Sequence, residues 1–377
     1  MEGIRLADYS RESVLSWLSS AGIMPELLCR LLETEPDPVR ILQQFRSGKN
    51  EALLSLPEAV RASLQKNSTD RVLHRWDTLL QQHKISALTI SDRLYPARLR
   101  LLSQAPAVLF YRGSLNALEG PGVSVVGSRN ATYKGLEATR KITEELSRCG
   151  ITVISGLAYG IDAAAHTGCL KGGSPTIAVL GCGLDQNYPR ENEKLRAEIL
   201  RDGGLLLSEF APGEKPLGWH FPYRNRIISG LGDCLAVMEA RIRSGSMTTV
   251  QHALEQGKDV FVYPGEAGNP KCEGNHQLLR EGAIYFTAAE DLMEDMGWLD
   301  KLKNVGQNNE HARETPKQTS PEEQGLLDEL EKGAQSFDQL CDRLQIPASR
   351  LNVMLSMLQI QGAVRALPGK MFEMIRD

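Results

Sequence analysis

Between residues 86 and 297, short β-branched and aliphatic runs alternate with amphipathic helical stretches, and that alternation restricts the chain more than any other property it has. The runs are Val123–Val126, Thr152–Ile154, Thr176–Leu180, Leu205–Leu207, Leu235–Met238 and Asp259–Val262. Helices are predicted between them at about 132–148, 161–171, 191–201, 224–229 and 247–256. Strands of this unbroken apolar kind are buried on both faces, so the pattern predicts an α/β fold in which helices wrap a parallel, Rossmann-like sheet.

The flanks read differently. Residues 1–85 carry helical periodicity only, in segments such as SVLSWLSSAGI and PELLCRLLE interrupted by Pro36, Pro38 and Gly48, and predict a small N-terminal helical, SAM-like domain. Its LLSLPEAVRASL stretch lacks the hairpin glycines that would present backbone amides to phosphate, which favours a partner or scaffold role. Residues 298–320 are polar and aperiodic, as a linker is. In residues 321–377, helices at about 322–332, Phe337–Leu344 and Ala348–Gln361 precede two short runs around Pro368 and Gly369, the layout of a C-terminal winged-helix domain. Its third helix carries only Arg350 as a basic side chain, so protein interaction stands beside duplex binding as its role.

With 377 residues, 41% hydrophobic and 24% charged, the chain has the composition of a multidomain globular protein. Its seven cysteines form no CxxC pair and no Cys/His grouping at metal spacing, which argues for a reduced interior without structural zinc. The beginning, MEGIRLADYSRES, has no apolar signal core, and no apolar run approaches a membrane span, so a cytoplasmic protein is expected. A net charge of −4 excludes nucleic-acid binding through a general positive field; any such binding must be local.

The local candidate is HFPYRNRIISG at 220–230, where Phe221 and Tyr223 adjoin Arg224, Asn225 and Arg226. Arginine matches phosphate oxygens bidentately and an aromatic ring stacks on an unpaired base of any identity. The same residues could equally be a core phenylalanine beside arginines that cap a helix. The other strand ends bear on the choice, because an open parallel sheet binds ligands beyond the carboxyl ends of its strands. Those ends read Gly127-Ser128-Arg129-Asn130, Ser155-Gly156 through Asp162, Gly181-Cys182-Gly183, Ser208-Glu209 and Glu239-Ala240, the last followed by Ser244-Gly245-Ser246. Five such small, anion-compatible turns on one sheet edge predict a phosphate-binding face.

Other chemistries find less support. GCGLDQ lacks the third glycine of GxGxxG, so no nicotinamide or flavin cofactor is expected, and there is no P-loop. Asp162 and His166 lie four apart on one helix without a nucleophile or metal partner, which favours a structural role over acid–base catalysis. Glu209 and Glu239 sit where catalytic carboxylates could, but capping or orienting neighbouring arginines explains them as well. Cys182, between two glycines, reads as a small buried residue more readily than as a reactive thiol. No catalytic residue, metal or cofactor is therefore assigned.

The ordered motifs VVGSRN at 125–130, SGLAYGIDAAAH at 155–166, TIAVLGCGLDQNYPRENEKL at 176–195, SEF and FPYRNRIISGL at 208–231, and VMEARIRSGSMTT at 237–249 together closely resemble the bacterial DprA/Smf family of DNA-processing proteins. SGSMTTVQHA and VMEA depart slightly from the family's common SGSLITA and VVEA. The resemblance implies an extended Rossmann domain that binds single-stranded DNA, acts as a homodimer and helps load the RecA recombinase during natural transformation. It places DNA contacts on Gly127, Ser128 and Arg129 and on Phe221, Arg224, Asn225 and Arg226, with Arg190 and Lys171 as further backbone contacts. Arg129 and Arg226 are expected to hold phosphates and Phe221 to stack a base, giving little sequence preference and strong salt dependence.

Two rivals stand beside this reading. A nucleotide-binding hydrolase of the phosphoribohydrolase type would need a PGGxGT turn, where this chain has YPGEAGNPKCEGN. A pure interaction scaffold would leave the RNR cluster as a solvated helix start and would bind no oligonucleotide.

Overall fold

The computed structural model of the protein describes residues 9–299 and, beyond them, 325–326, 329–330, 333, 335–344, 351, 355, 364–367 and 371–374. The chain divides into two compact units, Met1–Leu299 and Asp300–Asp377.

Six helices open the first unit: α1 (Arg11–Ser19), α2 (Pro25–Thr34), α3 (Pro38–Arg46), α4 (Glu51–Leu54), α5 (Glu58–Asn67) and α6 (Asp70–His83). Ser10 and Asp37 cap α1 and α3 by accepting from the amides of Ser13 and Val39. Trp17 is fully buried and donates its indole N–H to the carbonyl of Leu64, 2.8 Å away. The helices do not form a core of their own: their apolar faces continue into Val108, Phe110, Ala178 and Leu206, and the Trp76 indole donates to the Pro212 carbonyl at 3.1 Å.

The sheet is built from β1 (Ser86–Thr89), β2 (Val108–Gly113), β3 (Gly122–Val126), β4 (Thr152–Ser155), β5 (Thr176–Val179), β6 (Leu205–Ser208), β7 (Cys234–Val237), β8 (Val260–Val262) and β9 (Ile284–Tyr285), in the order β1-β2-β6-β5-β4-β3-β7-β8-β9. From β6 to β9 every pairing is parallel, while β1 and β2 add an antiparallel flank. All six predicted strands are present. Leu205 and Leu207 enter one core and Leu206 the other, as the two-residue strand period requires of a sheet covered on both faces.

The connecting helices are α7 (Ala97–Arg100), α8 (Tyr133–Arg148), α9 (Ile161–Gly172), α10 (Glu193–Arg201), α11 (His220–Leu231), α12 (Gly245–Glu255), α13 (Glu273–Arg280) and α14 (Ala289–Asp295). Helix α8 packs on α9, and α11 packs on α12. From β3 the chain winds outward through β4 and β5 to β6, then returns to place β7 on the other side of β3. Beyond the carboxyl ends of β3 and β7 the two directions part, which opens a crevice there.

In the second unit, β10 (Gln335–Ser336), α15 (Phe337–Leu344), β11 (Val364–Leu367) and β12 (Met371–Met374) are described, with β12 antiparallel to both β10 and β11. Leu340, Leu351, Leu355 and Val364 are buried together. The hairpin and the helix over Phe337–Leu344 match the winged-helix expectation. The helices expected at about 322–332 and Ala348–Gln361 lie, apart from isolated positions, outside the described residues, as does the linker from residue 300 onward.

Candidate nucleic-acid interface

The crevice between β3 and β7 is a cleft of about 690 Å³. Gly127, Ser128 and Arg129 form one wall together with the start of α11, and the segment from Arg241 into the first turn of α12 forms the other.

The first wall is a tightly fixed turn. Gly127 has no room for a side chain, since a Cβ there would fall 2.5 Å from Cγ1 of Ile161. Gly160 takes φ +73° and passes so close that a Cβ would lie 2.3 Å from the Ser128 carbonyl oxygen. That same carbonyl accepts from the Ile161 amide, and the Ser128 amide donates to the Glu239 carbonyl at 2.6 Å. Thr132 then caps α8, its Oγ1 accepting from the Gly135 amide at 3.0 Å. The buried Glu239 carboxylate accepts from the Thr132 amide and from its hydroxyl at 2.6 Å, so its oxygens are taken up by the helix start. Arg129 projects from this rigid turn into solvent.

Phe221, in the first turn of α11, lies under Arg129. The guanidinium carbon is 5.2 Å from the ring centroid, and the Tyr188 ring flanks the same phenylalanine at 5.5 Å. The closeness depends on Gly181, whose added Cβ would meet Phe221 Cδ1 at 2.9 Å. His220 fixes the helix start, stacked on Phe210 at 3.8 Å with its Nδ1 against the Gly181 carbonyl at 3.1 Å. One cation and one half-exposed ring, 92 positions apart in the chain, thus share one wall of the cleft.

The RNR cluster is arranged differently from the expectation. Arg224 is buried; one guanidinium nitrogen donates to the carbonyls of Gly156, at 3.1 Å, and Val179. Burial lowers its pKa to about 10, which leaves it charged at neutral pH, and burial raises that of Asp162 against the opposing charge of Arg224. Gly156 admits both groups, since a Cβ there would lie 2.7 Å from each. Asn225 accepts from Arg224 Nε at 3.3 Å and donates to the Gly245 carbonyl at 3.2 Å, tying α11 to the start of α12. Arg226 donates to both Glu209 oxygens at 2.8 and 2.7 Å and to the carbonyls of Gln104 and Tyr223, with Tyr223 4.1 Å beneath it. Its side chain is only 5% exposed. The phosphate-holding place expected for Arg226 does not fit this geometry, because its donors are committed to acceptors inside the protein. Arg224 also lines the cleft, but its Nε and one terminal nitrogen are held by Asn225 and by the Gly156 and Val179 carbonyls. Burial raises the Glu209 pKa, the charge of Arg226 opposing it, and the carboxylate serves to orient that arginine.

Two further expected contacts lie elsewhere. Lys171 sits in the last turn of α9, about 15 Å along the helix from its cleft end, and is paired with Glu144 at 2.8 Å. Arg190 is exposed in the 3-10 turn Arg190–Asn192 and does not line the cleft. Conversely, Arg241 and Tyr188 line it and were missed. Arg241 directly follows Glu239-Ala240 at a strand end, and a cation in that loop was the signal available. Neither Arg241 nor Arg243 has an ion-pair partner among the described residues.

The groups that could suggest catalysis are enclosed. His166 is fully buried, its Nδ1 on Thr176 Oγ1 at 2.8 Å, and burial lowers its pKa to about 3 so the ring is neutral. Burial pushes the Cys182 thiol up to about 11, far from a reactive thiolate. Among the described residues there is no metal-holding group of three or more His, Cys, Asp or Glu, and no helix long and apolar enough to cross a membrane.

Comparison with known proteins gives a consistent family. Residues 86–297 match the model of DNA recombination-mediator protein A, and residues 310–370 match the DprA winged helix domain. Protein Smf of Escherichia coli (strain K12) is 37% identical over 291 residues, covering 77% of this chain and 78% of that protein. DNA processing protein DprA of Streptococcus pneumoniae is 44% identical over 210 residues, covering 56% and 74%. The structure of the S. pneumoniae protein aligns with a TM-score of 0.60 at 34% identity, over 74% of this chain and 95% of that one. That of DNA processing protein A from Helicobacter pylori, reported for its unique single-stranded DNA binding mode, aligns at 0.52 and 29% identity over 56% and 95%.

Proposed function

The chain belongs to the DprA/Smf family, and from that premise we propose that it binds single-stranded DNA across the β3–β7 cleft with little sequence preference. The observation that carries this reading is the stacked pair of Arg129 and Phe221, a phosphate-seeking cation and an aromatic platform on one rigid wall. Gly127 and Ser128 bring backbone and hydroxyl close to the strand beside them. Asn225, which faces the cleft, contributes through its placement of α12. Arg224 and Arg226 act by holding the strand ends in position. The −4 net charge is compatible with this reading because the exposed cations Arg129 and Arg241 are concentrated at the cleft.

The bound strand is then handed to the RecA recombinase in the cytoplasm, during recombination or the processing of DNA taken up in transformation, and the working form is a homodimer. The role is binding without catalysis, in keeping with the engagement of Glu209 and Glu239 in holding Arg226 and Thr132. Titration of labelled single-stranded oligonucleotide, with duplex as competitor, followed by RecA ATP hydrolysis on the same strand, tests the proposal. Preference for the single strand and faster onset of RecA activity are expected. Equal binding of duplex, or no binding, overturns it.

A further inference from the structure

The start of α12 holds polar groups that the stacked pair does not use. Thr249 is 1% exposed and Ser246 8%, both line the cleft, and neither hydroxyl is engaged by another group among the described residues. The Ser244 oxygen is enclosed and likewise without a partner. A helical threonine ordinarily donates to the carbonyl four residues back. Here that carbonyl, of Gly245, receives the Asn225 side-chain amide. Ser244 makes no side-chain cap, so the first amides of this 11-residue helix also lack a side-chain acceptor. In front of them the space is open: a Cβ added at Gly245 would meet nothing within 4 Å. Around this helix N-terminus the unpartnered hydroxyls of the largely buried Ser246 and Thr249 face the cleft, with Arg241 beside them, and together they mark a place for an anion.

We propose that this end of the cleft binds a phosphomonoester, either the terminal phosphate of a nucleic-acid strand or the phosphate of a free mononucleotide. The inference rests on the reading of the cleft as a nucleic-acid site. Charge and donor number favour the monoester over an internal phosphodiester. A monoester offers three free oxygens and nearly two negative charges to the hydroxyls of Ser246 and Thr249, the helix amides and Arg241, where a phosphodiester offers two oxygens and one charge. The volume of about 690 Å³ suits one or two nucleotides inserted end-on.

The test compares internally labelled oligothymidylates that differ only in their ends (5′-phosphate, 3′-phosphate or hydroxyl at both), alongside dTMP against thymidine by calorimetry, with the full chain and with Ser246→Ala and Thr249→Val. A preference of at least about tenfold for one phosphorylated end is expected, and it collapses toward unity in both variants. Binding of dTMP without an end preference, lost in the variants, supports the site with a mononucleotide as its ligand. If dTMP binds while no oligonucleotide does, the pocket stands and the DNA reading falls. Oligonucleotides bound regardless of their ends, with no dTMP binding, overturn the pocket and leave the DNA reading standing. Binding of neither overturns both.

Discussion

The guanidinium of Arg129, on the turn after β3, lies 5.2 Å from the ring centroid of Phe221, at the start of α11. Neither residue is placed by its own neighbours alone. Arg129 depends on Gly127 and Gly160 for the close turn, and Phe221 depends on Gly181 for its seat. The pair therefore belongs to the sheet edge as a whole, and it sits where the winding direction of the sheet reverses.

Replacing Phe221 with alanine removes the ring but no charge. Affinity for single-stranded DNA should fall by about 1–3 kcal/mol, while Phe221→Trp retains most of it. Titrations with oligothymidylate and with a mixed sequence check this. The loss should be similar on both, because every base presents a face to stack; a loss confined to one sequence contradicts the stacking role.

Arg226→Ala should cost stability. Removing one partner of a buried bidentate pair leaves Glu209 enclosed without its counter-charge, a penalty of about 3–5 kcal/mol measurable by urea denaturation. Arg226→Lys should also be destabilising, since an ammonium cannot reproduce the two parallel bonds. Near-normal stability together with a shallower salt dependence of DNA binding would show that Arg226 contacts phosphate instead.

His166 should make the fold acid-sensitive. Burial lowers its pKa from 6.5 to about 3, so below pH 6.5 the unfolded chain takes up a proton that the folded chain refuses. Its full contribution is present above that pH and is lost as pH falls toward 3. Glu214, pushed up to about 7 by burial, acts in the opposite sense, so the informative quantity is the difference between two proteins. Denaturation of wild type and His166→Gln at about pH 7 and about pH 5 should show the variant losing about 2 kcal/mol less on acidification. Identical losses contradict the assignment.

The parallel core was legible because Val123–Val126, Thr152–Ile154 and their counterparts are apolar runs of strand length between amphipathic helices. The antiparallel flank β1 and β2 escaped notice, as did the two-residue β9, since SALT and VLFYRG carry no equally strong pattern. Helix α11 begins at His220, four residues before the predicted start, which puts Phe221 inside a helical turn. Composition and spacing pointed to a phosphate face with an aromatic neighbour and the family resemblance singled out Arg129 and Phe221 on it, but the buried state of Arg224 and Arg226 was not legible in either. It is set by carbonyls at Gln104, Gly156 and Val179, far away in the chain, and a basic run looks the same on paper whether its acceptors are water, phosphate or the protein's own backbone. Lys171 and Asp162 likewise share a helix while lying at opposite ends of it.

The most direct measurement is the salt dependence of single-stranded oligonucleotide binding by wild type and Arg129→Ala, followed by fluorescence anisotropy. Arg129→Ala should bind at least about tenfold more weakly, and its plot of log affinity against log salt, taken from about 50 to about 200 mM, should be shallower by about 0.7, the loss of one phosphate contact on a single strand. An affinity and a slope equal to wild type would mean that the strand does not lie on the Arg129–Phe221 wall.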